Sequence, residues 1–289
     1  MTSPGRRPRV ITVLTHQYPD ETEVPIKRLI DAAVEAGVEV RIPEEEVRKH
    51  DLEEREGCRL GAAVDGDVDL AVVLGGDGTI LKALREYAGT DVPVFAFNYG
   101  AIGFLSTVDP DELEEGIARA LEGRYDLWSM PALSIRTSEG RRIGVNDISF
   151  HRRPDSRVAE LGYSIAAERL GQVRCDGLVA STPVGSTGYN LANGGPVLAW
   201  GVEGFVVSFI APHTLTARAL VVAPSDPLSV INLSDRDPVE ITTDGRPVDQ
   251  LRPGDEVEIR FEHDQVLIAQ IPGVSFYHRL REKFGRLAY

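Results

Sequence analysis

The chain has 289 residues, a formal net charge of −14 and 42% apolar residues. The acidic balance argues against non-specific binding to nucleic acid or to anionic membranes. No run approaches the roughly 20 apolar residues that span a bilayer. The short apolar run at 10–14, behind a basic N-terminus, is too brief for a secretory signal. A soluble cytoplasmic protein of two domains, or one large one, is expected. Cys58 and Cys175 form neither a metal-ligand spacing nor a disulfide framework.

Residues 9–14 read as a first strand. Residues 23–36 read as a helix, with Ile26, Leu29, Ile30, Ala33 and Val34 on one face and Gly37 at its end. A second strand follows at 38–42. Residues 44–56 alternate acid and base and read as a solvated helix. Residues 70–74 are an unbroken apolar run, as in a parallel strand covered on both faces. The turn Gly75-Gly76-Asp77-Gly78-Thr79 follows, with Thr79 where a helix N-cap sits. Ile80, Leu81 and Leu84 then begin a helical face that runs to about Tyr87. Residues 92–98 form another strand, which enters the loop Asn98-Tyr99-Gly100-Ala101-Ile102-Gly103-Phe104-Leu105. Residues 110–121 form a helix that opens with Pro and acidic residues. This alternation predicts a parallel α/β sheet over residues 1–126.

From 128 to 271 the pattern changes to short β-type runs, at 133–136, 143–150, 160–167, 205–210, 228–232, 239–243, 257–261 and 266–271. Turn signals such as Asp244-Gly245 and Pro253-Gly254-Asp255 separate them. A β-rich domain is expected over 127–272, followed by a terminal segment at 273–289 with a helix at 275–284.

The chemistry concentrates in two clusters. Ligands of open α/β sheets bind beyond the carboxyl ends of the strands. Both glycine loops, 75–79 and 98–103, are placed there. Glycines let a ligand approach the backbone, and a helix N-terminus suits phosphate. Asp77 would repel phosphate, so its presence suits a site that also handles a hydroxyl or a cation. The second cluster begins at Arg174 and Asp176. It continues through Ser181-Thr182-Pro183-Val184-Gly185-Ser186-Thr187-Gly188-Tyr189. Such a loop presents small donors around a concave surface, and Tyr189 could stack on a flat ring. It is also what structural turns are made of. Asn146-Asp147 reads as an Asx turn, Asp244-Gly245 as a hairpin turn and His213 as a hydrogen-bonded structural residue. A Walker-A loop, a dinucleotide Gly-x-Gly-x-x-Gly after the first strand, a Gly-x-Ser-x-Gly elbow and His-Glu-x-x-His are all missing from the sequence.

Taken together, the motifs resemble the NAD kinase family. The matches run in order from about residue 70 to 245. They are Gly75-Gly76-Asp77-Gly78-Thr79, Asn98-x-Gly100-x-x-Gly103-Phe104-Leu105, Asn146-Asp147 and Asp176-Gly177, then Ser181-Thr182-Pro183-x-Gly185-Ser186-Thr187-x-Tyr189. Gly194-Gly195-Pro196, Pro212-His213-x-Leu215-x-x-Arg218 and Asp244-Gly245 complete them. The glycine turn is shared with lipid kinases and phosphofructokinases; the 181–189 loop is far more specific.

The resemblance implies an α/β N-terminal domain, a β-rich C-terminal domain and a last helix that packs back on the first. It implies phosphorylation of the 2′-hydroxyl of the adenosine ribose of NAD to give NADP. The donor would be ATP or polyphosphate with Mg²⁺, and the protein a homodimer or homotetramer. Asp77 would face the hydroxyl as the catalytic residue. Gly75, Gly76, Gly78, Thr79, Asn98, Gly100 and Arg174 are candidates for phosphate and nucleotide. Asn146, Asp147, Asp176, Ser186, Thr187, Gly188, Tyr189 and His213 are candidates for the acceptor. No side chain is assigned to the metal, which would be held mainly through phosphates. The chain departs from the family pattern at Asp147 (commonly Glu), Gly188 (commonly Ala) and Ala219 (commonly Pro). A kinase for a lipid or sugar phosphate and a non-catalytic dinucleotide sensor are the competing readings.

Overall fold

Buried parallel strands carry the N-terminal half. The computed structural model describes residues 2–100, 103–273 and 275–285, so Ala101 and Ile102 of the second loop lie outside the described residues. The chain divides into two compact units, one of residues 1–129 with 265–289 and one of residues 130–264. The first unit holds β1 (Thr2–Pro4), β2 (Val10–Thr15), α1 (Glu23–Glu35), β3 (Glu39–Ile42), α2 (Glu44–His50), β4 (Cys58–Leu60), β5 (Leu70–Gly75), α3 (Asp77–Glu86), β6 (Pro93–Asn98) and α4 (Leu113–Glu122).

Its strands are ordered β4-β3-β2-β5-β6, and every pairing among them is parallel. All six residues of β5 and of β6 are buried, which is why neither alternates in polarity. The chain builds outward from β2 through β3 to β4, then returns to the other side of β2. The carboxyl ends of β2 and β5 therefore flank a topological switch point, where ligands of such sheets bind.

Two local expectations are corrected here. Thr79 is not the N-cap of α3: the cap is Gly76, the helix starts at Asp77, and Thr79 lies in its first turn. The paired glycines let the chain turn earlier than the hydroxyl suggested. The 44–56 segment is helical only to His50, because Asp51 takes a left-handed conformation at φ 48°. Nor is that helix solvated all round, since Glu46 and His50 are buried. Glu46 Oε1 accepts the Thr15 N–H at 3.0 Å, and both its oxygens accept from Lys49 Nζ at 2.9 Å. Charges that are paired in this way can enter an interior that their composition seems to forbid.

The second unit is antiparallel. It comprises β7 (Asp126–Thr137, from Met130 on), β8 (Gly140–Gly144), β9 (Asp147–Arg152), β10 (Ala159–Ile165), β11 (Glu168–Cys175), β12 (Gly177–Ser181) and α5 (Tyr189–Ala192). Then come β13 (Phe205–Ile210), β14 (Leu220–Val222), β15 (Leu228–Asn232), β16 (Val239–Thr243), β17 (Arg246–Leu251) and the first part of β18 (Glu256–Gln270). One sheet runs β14-β13-β12-β9-β16-β17. A second layer pairs β11 with β10, β10 with β15, and β15 with residues 256–259. Phe150, Leu178 and Phe205 of the first sheet share a buried core with Leu161, Leu228, Val230 and Ile259 of the second.

The run at 143–150 is two strands, because the chain breaks at Val145–Asn146. The runs at 257–261 and 266–271 are one strand, β18, in which Asp264 at φ 52° bends the chain without ending it. Leu267 and Ile268 of β18 pair in parallel with Pro93 and Val94 in the first unit. The chain closes with α6 (Phe276–Phe284), whose N-cap Ser275 accepts the His278 N–H. Phe276 and Phe284 pack on Phe104 with ring centroids 6.1 and 5.9 Å apart. Among the described residues no helix is long and apolar enough to cross a membrane.

Candidate active site

In the first unit the glycine turn and the second loop meet at the carboxyl ends of β5 and β6. A Cβ on Gly100 would lie 2.6 Å from the Gly76 Cα, and one on Gly76 would lie 3.0 Å from the Gly100 Cα, so neither loop accepts a side chain there. Gly78 is the opposite case. It is exposed, and a Cβ added there would meet nothing within 4 Å. The first-turn N–H groups of α3 face this open side with the positive end of the helix dipole.

Asp77 is held by the second loop. Its Oδ2 accepts the Phe104 N–H at 3.0 Å and its Oδ1 the Leu105 N–H at 2.9 Å. Each oxygen keeps a lone pair for a further donor, so the carboxylate is oriented and still able to accept. Asn98 shapes this loop from inside. It is buried, its Oδ1 accepts the Gly100 N–H at 3.1 Å, and its Nδ2 donates to Asp109 at 3.2 Å. Its amide is committed at both ends to loop geometry.

In the second unit Asn146 and Asp147 are placed by Asp244, a residue that by itself signals a hairpin turn. The Asp244 carboxylate accepts the N–H groups of Val145, Asn146 and Asp147 at 3.1, 2.7 and 3.1 Å. Those donors are taken from the sheet ladder, which is why the strand breaks there. The loop at 181–189 fastens the same turn from the other side. Thr182 Oγ1 donates to the Val145 carbonyl at 2.7 Å, and Ser181 Oγ donates to the Asn146 carbonyl at 3.1 Å. Ser186 is fully buried; its Oγ donates to the Pro183 carbonyl at 2.7 Å and accepts the Leu198 N–H at 2.8 Å. Several hydroxyls that looked like ligand donors therefore build the loop. Thr187, Gly188 and Tyr189 are the members that reach the surface.

A Cβ on Gly185 would fall on the Asn146 carbonyl and 2.6 Å from the Asn146 Cα. Gly185→Ala is expected to lower stability by about 1–3 kcal/mol, the usual cost of overpacking. Urea denaturation checks this, and an unchanged midpoint would mean that the turn yields at no cost.

The electrostatics around Tyr189 are unusual. Its ring stacks on His151, with centroids 5.6 Å apart and planes inclined by 12°. Burial pushes its hydroxyl pKa up, with Asp147 and Asp176 adding in the same sense. Burial, with the negative Asp244 next in importance, pushes Asp147 up to about 7. Asp176 pairs with Arg152 at 2.6 Å. His151 and Arg152 carry no signal in the sequence, because nothing distinguishes a His-Arg pair at the end of an ordinary strand.

Two other candidates lie on the surface of this unit. Arg174 is exposed on β11, where it lines a cavity with Arg157, Glu160 and Arg236. His213 is exposed too, and its N–H donates to the Arg174 carbonyl at 2.7 Å. Neither is brought against the 145–147 turn by any described hydrogen bond. Among the described residues no group of three or more His, Cys, Asp or Glu side chains could hold a metal ion.

A glycine turn carrying one carboxylate thus stands at the switch point of the first unit, and a polar loop is fastened to an acidic turn in the second. Comparison with known proteins assigns the class. Residues 5–125 match the model of the ATP-NAD kinase N-terminal domain, and residues 145–270 that of the ATP-NAD kinase C-terminal domain. The NAD kinase of Gemmatimonas aurantiaca is 35% identical over 240 residues, covering 80% of this chain and 81% of that protein. The NAD kinase of Lachnoclostridium phytofermentans is 32% identical, covering 80% and 86%. The structure of an NAD kinase from Archaeoglobus fulgidus in complex with ATP aligns with a TM-score of 0.74 at 25% identity, over 96% of this chain and 98% of that one. Yeast NADH kinase complexed with NADH aligns with a TM-score of 0.85 at 23% identity, over 99% and 89%, and supports the fold. The chain belongs to the NAD kinase family.

Proposed function

We propose that this protein is an ATP-dependent NAD kinase that phosphorylates the 2′-hydroxyl of the adenosine ribose of NAD to give NADP. The observation that carries the mechanism is the Asp77 carboxylate, aligned by two backbone N–H groups at the switch point. A ribose hydroxyl is a poor nucleophile and Asp77 does not deprotonate it outright. In a loose transition state it orients the hydroxyl and accepts the proton late. The 2′-oxygen forms a bond to the γ-phosphorus as the bond from that phosphorus to the bridging oxygen of ADP breaks. Positioning supplies most of the acceleration.

Gly75, Gly76, Gly78, Thr79 and Gly100 line the phosphate side, where the open backbone and the α3 N-terminus favour anions. Asn146 and Asp147 hold the acceptor ribose. Thr187 and Gly188 line its adenine, and Tyr189 and Asp176 lie toward the nicotinamide half. A divalent cation would arrive with the donor phosphates and neutralise their charge. Leu220 and Val221 are half-exposed on β14, an edge strand, and Leu215 is 92% exposed. Uncovered apolar side chains at a sheet edge support a homo-oligomer. Such an enzyme would act on soluble nucleotides in the cytoplasm.

A coupled assay of the purified protein with NAD, ATP and Mg²⁺ tests the reading. NADP is expected to accumulate in proportion to enzyme. No NADP with either ATP or polyphosphate as donor would overturn it.

A further inference from the structure

We propose that Arg279, on α6, is a positioning residue for phosphoryl transfer, acting on Asp77 through the two peptide groups on either side of Phe104. This rests on Asp77 being the group that orients the acceptor hydroxyl.

The Phe104 N–H, which bonds Asp77 Oδ2, belongs to the same planar peptide group as the Gly103 carbonyl. The Leu105 N–H, which bonds Oδ1, belongs to the same group as the Phe104 carbonyl. Arg279 Nη1 donates to both of those carbonyls, at 3.3 Å for Phe104 and 3.5 Å for Gly103. A guanidinium and a carboxylate thus stand at opposite ends of two peptide dipoles that point the same way. In a low-dielectric interior a charge at one end of such a chain strengthens the bond at the other.

The rest of the surroundings hold the arginine still. Arg279 is only 7% exposed and Gln270 only 1%. The other guanidinium nitrogen, Nη2, donates to Gln270 Oε1, and Gln270 Nε2 donates to the Leu105 carbonyl at 3.4 Å. The Phe104 ring, between these peptides, packs on Phe276 and Phe284 of the same helix. Burial disfavours the charged guanidinium, while Asp77, Asp109 and Glu282 favour it. Burying an ion is a poor way to gain stability when apolar side chains of similar volume would serve. Three of the groups that accept from Arg279 or Gln270 are carbonyls of the segment whose N–H groups grip Asp77, which gives the buried charge a purpose in the site.

The test is a double-mutant cycle in the full chain, with kcat, KM for ATP and NAD, and the unfolding midpoint measured for each variant. Arg279→Met is expected to lower kcat by on the order of 10-fold to 10²-fold, as small misplacements of reacting groups do. Both KM values are expected to stay near wild type, since ground-state binding is untouched. In an Asp77→Asn background the same change is expected to have no further effect on kcat, because the two residues act in one chain of bonds. Wild-type kcat with a lowered midpoint would overturn the proposal, as would an equal loss of kcat in both backgrounds. If Arg279→Met does not fold, Arg279→Lys decides. An intermediate kcat supports the proposal, and full kcat without the guanidinium fork overturns it. Near-normal turnover of Asp77→Asn alone would instead remove the reading of Asp77 itself.

Discussion

Asp77→Asn is expected to retain the fold and NAD binding while losing roughly 10²-fold or more of turnover, the usual size of a general-base contribution. The two bonds to Asp77 make the expectation more specific. The carboxylate accepts the Phe104 N–H on one oxygen and the Leu105 N–H on the other. An asparagine has one accepting oxygen, so one N–H must face an NH₂ group. One charge-assisted bond is lost and a buried donor is left without its acceptor, at a cost of about 1–3 kcal/mol. A modest fall in the unfolding midpoint should therefore accompany the loss of kcat. Titration calorimetry with NAD separates the two effects, since binding should survive and turnover should not. If kcat stays close to wild type, Asp77 is a cap of the second loop and has no part in proton transfer.

Much of the first unit is legible in the sequence because its interior is apolar on both faces of the sheet. The all-buried runs of β5 and β6, the face of α1 and the stop at Gly37 follow from spacing and from glycine's tolerance of φ 72°. Polar burial is less legible. Glu46 and His50 look like surface residues in a string of charges, and only Thr15, brought from β2, reveals their burial. The same reason hides Asp244. An Asp-Gly pair announces a hairpin and says nothing of three N–H donors almost 100 residues away. Arg279 is hidden among the basic residues of a short terminal helix, and its carbonyl partners carry no side-chain signature. The hydroxyl-rich loop is visible as a feature, but the division between Ser186, which is buried, and Thr187, which is not, depends on the turn the backbone takes. Sequence identifies residue types suited to a site. Which of them face a ligand is decided by competing backbone groups.

The second large effect concerns pH. Asp147 is buried, and burial together with the nearby Asp244 carboxylate raises it to about 7 in the folded protein, from an ordinary value of 3.8. Between these two pKa values the folded state holds a proton on Asp147 that the unfolded chain has released. Stability must then fall as pH rises from about 4 through about 7, and level off above. Each tenfold change in an ionisation constant is worth about 1.4 kcal/mol, so the loss across that window is on the order of a few kcal/mol. Asp147→Asn keeps the shape and removes the titration, so its stability should exceed that of the wild type at pH 8 and approach it at pH 5. Urea denaturation at pH 5, 6, 7 and 8 provides the comparison. Parallel curves for the two proteins would mean that Asp147 ionises normally in the fold. A converging pair would mean that the turn at 145–147 carries a carboxyl group poised near neutrality. A group in that state can donate a hydrogen bond to a ribose oxygen as readily as accept one.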